Sequence, residues 1–316
     1  MSFSSSIKEE IILKGISQKC CKKAFVAGFI RSTGAIIKTD AGYGFECSSD
    51  IENAVGYAVR LLKEIYGYDG GETFVYEDNL NKKFNYVLEC VGEGAVKILY
   101  DLGILGDGEE DDEFELRLKS NRQLLQKDCC KRSFIKGMFL GSGHCTIPES
   151  VGSTTRYHLE VVFTHKVPAG EFAGYLAEYN ILAKTITRRG KTVVYVKSSN
   201  EIKDFLALLN APKAVLKITD VMISNEIVND ANRKRNCDMA NLSKSVVANE
   251  KYASRIKFIA ETLGLDELPE DLKTVAVARL ENTTDTLSEL AEKLGITKSC
   301  LNHRLRKLAS IADELE

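Results

Sequence analysis

The chain of 316 residues has almost no surplus charge: 43 Lys and Arg stand against 45 Asp and Glu, a formal net charge of −2. That excludes a globally basic coat for nucleic acid, but local basic faces remain possible. A long hydrophobic run is also missing. No stretch approaches the roughly 18 apolar residues of a membrane span, and Met1 to Lys14 lacks a signal-peptide core. The paired cysteines lack C-x2-C spacing: Cys20–Cys21 and Cys129–Cys130 are adjacent, and neighbouring side chains diverge by about 100° on a helix. They are expected to line helices as small residues, and no metal or cofactor is expected. Nine cysteines, an odd number, without an export signal point to reduced thiols in the cytosol.

What the chain does have is an internal repeat. CCKKAFVAGFIRSTG (Cys20 to Gly34) recurs 109 residues later as CCKRSFIKGMFLGSG (Cys129 to Gly143), with six of fifteen positions identical. A repeat takes precedence over other fold arguments, so two copies of one unit plus a remainder are expected. Phe25, Val26, Phe29 and Ile30 recur at helical spacing, as do Phe134, Ile135, Met138 and Phe139. A mid-helix glycine costs roughly 1 kcal/mol relative to alanine, so Gly28 and Gly137 need a compensating reason. Close approach of two equivalent helices, glycine to glycine about a pseudo-two-fold axis, supplies one. Gly34 and Gly143 fall where a left-handed residue is expected to end each helix.

Around these helices the same order is read twice. Ser6-Ile7-Lys8-Glu9 resembles a capping box opening a short helix. Strand-like runs follow at Ala35 to Lys38 and Tyr43 to Cys47, then a helix at Ile51 to Tyr66, a hairpin at Glu72 to Tyr76 with Lys83 to Cys90, and a helix at Gly94 to Leu102. The second copy gives strands at His144 to Thr146 and Arg156 to Phe163, a helix at Ala169 to Tyr179, a hairpin at Leu182 to Thr187 with Thr192 to Lys197, and a helix at Asn200 to Leu209. The fold class is therefore α+β, a pseudo-symmetric pair of αββαββα units covering 1–105 and 129–228. An acidic connector at 106–128 separates them, its run Asp107 and Glu109 to Glu113 reading as solvated. The hairpin tip Arg188, Arg189 and Lys191 is basic enough for phosphate contact, although a solvated tip reads equally well.

Residues 229–250 have few large apolar side chains and many amide and basic groups. Such a stretch cannot bury a core of its own and reads as a tether, with Arg233, Lys234 and Arg235 as candidate DNA-backbone contacts. Residues 251–316 read as an all-α helix-turn-helix domain: a helix at Leu272 to Leu280, a capping box Thr286-Leu287-Ser288-Glu289 opening a short helix, a turn at Gly295, and a third helix capped by Thr297. Leu301, Leu305 and Leu308 take its buried face. Ser299, Asn302, His303 and Arg306 form a stripe on the other face, flanked by Lys298, Arg304 and Lys307. Asn suits adenine and Arg suits guanine in the major groove, while lysines and the helix N-terminus suit phosphates.

Val26 to Gly34 (VAGFIRSTG) and Ile135 to Gly143 (IKGMFLGSG) resemble two degenerate LAGLIDADG motifs, the signature of a class of homing endonucleases. The resemblance implies saddle-shaped antiparallel sheets with a concave face for duplex DNA, and an acidic metal ligand before the last glycine. Here those positions are Thr33 and Ser142, neutral hydroxyls that are poor ligands for Mg²⁺. Strand cleavage is therefore not expected, and no catalytic residue is assigned. Lys136 also departs from the motif, standing where a small residue is usual.

The double motif, the Asn-rich tether, TLSEL (Thr286 to Leu290) and TKSCLNHRLRKL (Thr297 to Leu308) together resemble WhiA-type regulators of Gram-positive bacteria. That resemblance implies a sequence-specific transcription regulator acting in sporulation or cell division. Its partners would be promoter DNA and another regulator or RNA polymerase, and its location the cytoplasm, with the nucleoid. The alternatives are a residual metal-dependent endonuclease, for which Asp40 would have to serve as a displaced carboxylate, and an RNA-binding scaffold resembling intron maturases.

Overall fold

Helix α1 (Phe3–Lys14) begins earlier than the Ser6 capping box suggests. Ser2 caps it, its hydroxyl accepting from the Ser5 amide at 3.1 Å. Its buried residues Ser4, Ile7, Lys8 and Ile11 follow helical spacing, so a lysine lies on the apolar face. In this computed structural model the described residues are 2–78, 83–108, 114–150 and 152–315, without the side chains of 78 and 83. They divide into two compact units, Met1–Asn225 and Glu226–Glu316.

The first unit continues with α2 (Lys19–Thr33), β1 (Ala35–Thr39), β2 (Gly42–Ser49), α3 (Glu52–Tyr66), β3 (Gly71–Asp78), β4 (Lys83–Val91) and α4 (Glu93–Asp101). Two short strands, β5 (Leu105–Gly106) and β6 (Glu115–Leu116), pair in the connector, whose acidic residues 109–113 lie outside the described residues. The second copy follows as α5 (Asp128–Ser142), β7 (Gly143–Thr146), β8 (His158–Phe163), α6 (Lys166–Ala177), β9 (Lys184–Arg188), β10 (Lys191–Val196) and α7 (Ser199–Leu208). The sheets are antiparallel with matching orders, β1-β2-β4-β3 and β7-β8-β10-β9.

The repeated helices α2 and α5 pack on each other through their glycines. A Cβ on Gly28 would collide with the carbonyl oxygen of Phe134 and lie 3.2 Å from the Met138 nitrogen. A Cβ on Gly137 would collide with the carbonyl oxygen of Phe25 and lie 2.9 Å from the Phe29 nitrogen. The contacts are reciprocal, as a pseudo-two-fold requires. Lys136 does not prevent them: it lies half-buried beside the seam. Gly34 and Gly143 are not left-handed, with φ of −75° and −80°. Crowding fixes them instead, because a Cβ on Gly34 would meet Ile30 Cγ2 at 2.8 Å and one on Gly143 would meet Phe139 Cε2 at 2.8 Å.

Helix α8 (Pro212–Thr262) crosses the boundary between the units. Residues 229–250 are helical throughout, where a tether without regular structure was expected. Their side chains are largely exposed, Asn249 being the buried exception. A helix satisfies its own backbone hydrogen bonds, so it does not need an apolar face to persist when flanking turns are anchored. The rest of the second unit is α9 (Glu270–Glu281), α10 (Leu287–Lys293) and α11 (Lys298–Leu315). Its core gathers Ile256, Ile259, Leu272, Val275, Leu290, Leu301, Leu305 and Leu308.

Candidate nucleic-acid interface

In the second unit the turn between α10 and α11 is built as the sequence indicates. Thr286 and Glu289 form a reciprocal capping box, with bonds of 2.8 and 3.3 Å. Gly295 takes φ +63°, a left-handed conformation that glycine adopts without strain. Thr297 caps α11 by accepting from the Cys300 amide at 3.2 Å. With Leu301, Leu305 and Leu308 fully buried, Ser299, His303 and Arg306 are exposed on the opposite face and Asn302 is half-buried beside them. Lys298 and Lys307 are exposed flanking cations. Arg304 is different: its Nε lies 3.5 Å from Asp271, tying α11 to α9.

Sequence reasoning missed the residue that holds this motif in shape. Arg279 is fully buried and donates to the carbonyl oxygens of Asp285 (2.8 Å) and Asn282 (3.3 Å). Asn249 donates to the same Asp285 carbonyl at 2.9 Å. Together they pin the loop that leads into the capping box.

In the first unit, Thr33 and Ser142 line a cavity of about 360 Å³ at the C-terminal ends of α2 and α5. Thr33 Oγ1 donates to the Phe29 carbonyl oxygen at 3.2 Å, and the buried Ser142 hydroxyl has no hydrogen-bond partner. The carboxylates in the lining are Asp50 and Glu160, and Asp40 is not among them. Asp40 lies in the exposed β1–β2 turn, so it does not supply a displaced ligand there. Lys8, buried on α1, places its ammonium 2.6 Å from Asp50. Burial holds the Lys8 ammonium below its usual value, opposed by the charge of Asp50. Glu160 is engaged by His158 Nε2 at 3.0 Å. Two neutral hydroxyls and two carboxylates already paired, one with a resident ammonium, do not fit a divalent-cation site of the nuclease kind.

The open faces of the two sheets differ in charge. In register across the first sheet lie Ala35, Glu46, Glu89 and Glu72. The matching row of the second sheet is His144, Glu160, Tyr195 and Lys184. Arg188 stands opposite Lys191 at the tip of the second hairpin, where Arg189 and Gly190 both take positive φ, 50° and 76°. Lys191 also lines the 360 Å³ cavity. On α8, Arg233 pairs with Asp230 and Arg235 donates to Asn232 at 3.0 Å, while Lys234 is exposed.

Three family models match in series: the WhiA N-terminal LAGLIDADG-like domain over residues 19–105, the WhiA LAGLIDADG-like domain over 131–228, and the WhiA C-terminal HTH domain over 231–312. A probable cell division protein WhiA from Bacillus subtilis is 34% identical, covering 100% of this chain and 97% of that protein. The chain belongs to the WhiA family. A probable cell division protein WhiA from Caldicellulosiruptor saccharolyticus is 33% identical, covering 100% of this chain and 96% of that one. The crystal structure of full-length DUF199/WhiA from Thermatoga maritima aligns over 100% of this chain and 99% of that chain, with TM-score 0.57 and 23% identity, a likeness of fold. Among the described residues no helix is long and apolar enough to cross a membrane.

The N-terminal ends of α2 and α5 carry the paired cysteines. The sulfur atoms of Cys20, Cys21 and Cys130 lie within 4.8 Å of one another. Burial raises the Cys21 thiol to about 11, and the Cys20 thiol is held below its usual value, chiefly by its hydrogen bond with Cys130. Adjacency within each pair obscured this gathering, because the partners stand 109 positions away on another helix.

Proposed function

We propose that the chain is a non-enzymatic, sequence-specific DNA-binding regulator of transcription acting in cell division or sporulation. The observation that carries this reading is the exposed stripe Ser299, His303 and Arg306, with Asn302 beside it, on a helix whose other face is locked into a three-helix core. Such a face suits a recognition helix in the major groove, where amide and guanidinium groups read base edges. Thr297 then serves as a cap close to phosphate, and Lys298 and Lys307 supply backbone charge. Arg304 contributes indirectly, by fixing α11 to α9 through Asp271.

The LAGLIDADG-like unit recognises without cutting. Its nucleic-acid contact is carried by the second sheet, where Lys184, Arg188, Arg189 and Lys191 gather, and not by the glutamate row of the first. The first sheet is the surface left for a protein partner such as another regulator or RNA polymerase. Arg233, Lys234 and Arg235 add backbone contacts from α8. A protein with these modules resides with the nucleoid.

The test is a genome-wide crosslinking map of the full chain beside one carrying Ser299→Ala, His303→Ala and Arg306→Ala. Loss of promoter peaks is expected, and Arg306→Ala alone should cost about 1–3 kcal/mol of specific affinity in a titration at fixed salt. Retention of all peaks by the triple variant would remove α11 as the reader. Preferential capture of structured RNA over duplex DNA would shift the reading to an RNA scaffold. Cleavage of plasmid on adding Mg²⁺ or Mn²⁺ would overturn the non-enzyme reading.

A further inference from the structure

The end of the α2–α5 seam that carries the cysteines has no part in the reading above. Cys20 and Cys21 occupy the first turn of α2, and Cys129 and Cys130 the same positions of α5. Because the helices approach through their glycines, the two pairs meet across the pseudo-two-fold. Sulfurs of Cys20, Cys21 and Cys130 lie within 4.8 Å of one another. A single carbonyl oxygen, Gln18 Oε1, lies 3.8 Å from Cys20 Sγ, 3.6 Å from Cys21 Sγ and 3.8 Å from Cys129 Sγ. Three thiols thus gather from two helices, and Cys129 adjoins them through the Gln18 oxygen it shares with Cys20 and Cys21.

We propose that these four cysteines form a tetrathiolate site for a thiophilic divalent cation, Zn²⁺ foremost, that staples the two halves of the LAGLIDADG-like unit at the start of their central helices. Tetrahedral zinc with Zn–S bonds of about 2.3 Å places its sulfurs about 3.8 Å apart. The sulfurs of Cys20, Cys21 and Cys130, within 4.8 Å of one another, already stand near that spacing. Four protein ligands leave no open position, so the site is structural and not catalytic. Each thiol that becomes a ligand gives its proton to solvent. The resulting negative charge faces the N-terminal ends of two helices, with Lys127 next to α5, a setting that favours thiolate. Cys21 and Cys130 are buried while Cys20 is half-buried and Cys129 exposed, which leaves an entry path from solvent.

Adjacent cysteines on one helix would be a poor zinc motif. Here each helix contributes a corner, and the second helix completes the tetrahedron.

The experiment uses the full-length reduced chain stripped of metal and titrated with Co²⁺. One equivalent per chain is expected to give sulfur-to-cobalt charge-transfer absorption with the intense visible bands of a tetrahedral ion, and one equivalent of Zn²⁺ should abolish them. Cys20→Ser and Cys130→Ser should lose the bands, and Cys237→Ser and Cys300→Ser should keep them. Should the ligand variants fail to fold, the charge-transfer intensity of the unmodified chain counts the thiolates by itself. Absence of those bands from the unmodified chain would overturn the site. So would their retention in Cys20→Ser and Cys130→Ser. A Cys20–Cys130 disulfide found by mass mapping, with no metal taken up after reduction, would replace it with a redox pair.

Discussion

The two sheets of the LAGLIDADG-like unit have the same strand order and the same buried periodicity, yet one row of their open faces keeps only a single glutamate in common. Where the first sheet sets Glu46, Glu89 and Glu72 side by side, the second sets Glu160, Tyr195 and Lys184. The buried sides diverge far less, with Phe45, Cys47, Leu88 and Cys90 answered by Leu159, Val161, Val194 and Val196. An interior must be filled, so size and apolarity are constrained in both copies. A solvated face carries no such demand and is shaped by what it meets. Like charges directly opposite on neighbouring strands are destabilising, so a three-glutamate row reflects something other than stability. It is unsuited to a phosphate backbone, whereas the basic hairpin tip of the second copy suits one.

That contrast can be attacked at several strengths. The interior symmetry is tested hardest at the seam: Gly28→Val and Gly137→Val should each cost about 3 kcal/mol or more, and by similar amounts, because each side chain would meet the partner helix's backbone. Denaturant melts that showed one variant neutral would break the symmetry. Next in size, Lys184→Gln, Arg188→Gln and Lys191→Gln together should weaken DNA binding. The salt dependence should become shallower by about 0.9 for each phosphate no longer neutralised. Glu46→Gln, Glu72→Gln and Glu89→Gln should leave that slope unchanged; tighter binding with a steeper slope there would place DNA on the first sheet instead.

Lys8→Met probes the cavity between the copies. The Lys8 ammonium is depressed below 10.5 by burial, so in the alkaline range the unfolded chain binds the extra proton and stability rises with pH. Replacing Lys8 should remove that rise, read from melts at pH values approaching 10.5. The cost at pH 7 should stay within about 1 kcal/mol, since Asp50 remains half exposed to water. A pH profile identical to that of the unmodified chain would show that Lys8 is not desolvated. The smallest effect belongs to the glutamate row itself: neutralising all three should stabilise the unit by a few tenths of a kcal/mol.

Much of this arrangement is legible from residues whose information is local. The helices of the repeat, the Thr286 capping box and the Gly295 turn follow from spacing within a few positions. Gly28 and Gly137 were legible too, since a costly residue placed twice at one point of a repeat implies contact. The conformation of Gly34 and Gly143 was not, because crowding by Ile30 and Phe139 and not a left-handed turn sets those positions. Residues 229–250 lack an apolar stripe, and periodicity cannot report a helix that buries almost nothing. Lys8 could have been found as the polar member of the stripe Ser4, Ile7, Lys8 and Ile11. Arg279, Asn249 and the meeting of the cysteines depend on distant partners that no window of sequence contains.

Helix α1 also imposes an order on biosynthesis. Its Ser4 hydroxyl accepts from the Cys145 amide, and its Glu10 carboxylate accepts from the amides of Lys213 and Ala214, 203 and 204 positions further on. On the ribosome, Ser4 and Glu10 therefore emerge long before the amides that they bind. The unit cannot reach its final packing until translation has passed the beginning of α8. Until then α1 can pack on α3, while its Glu10 carboxylate still lacks the amides of Lys213 and Ala214.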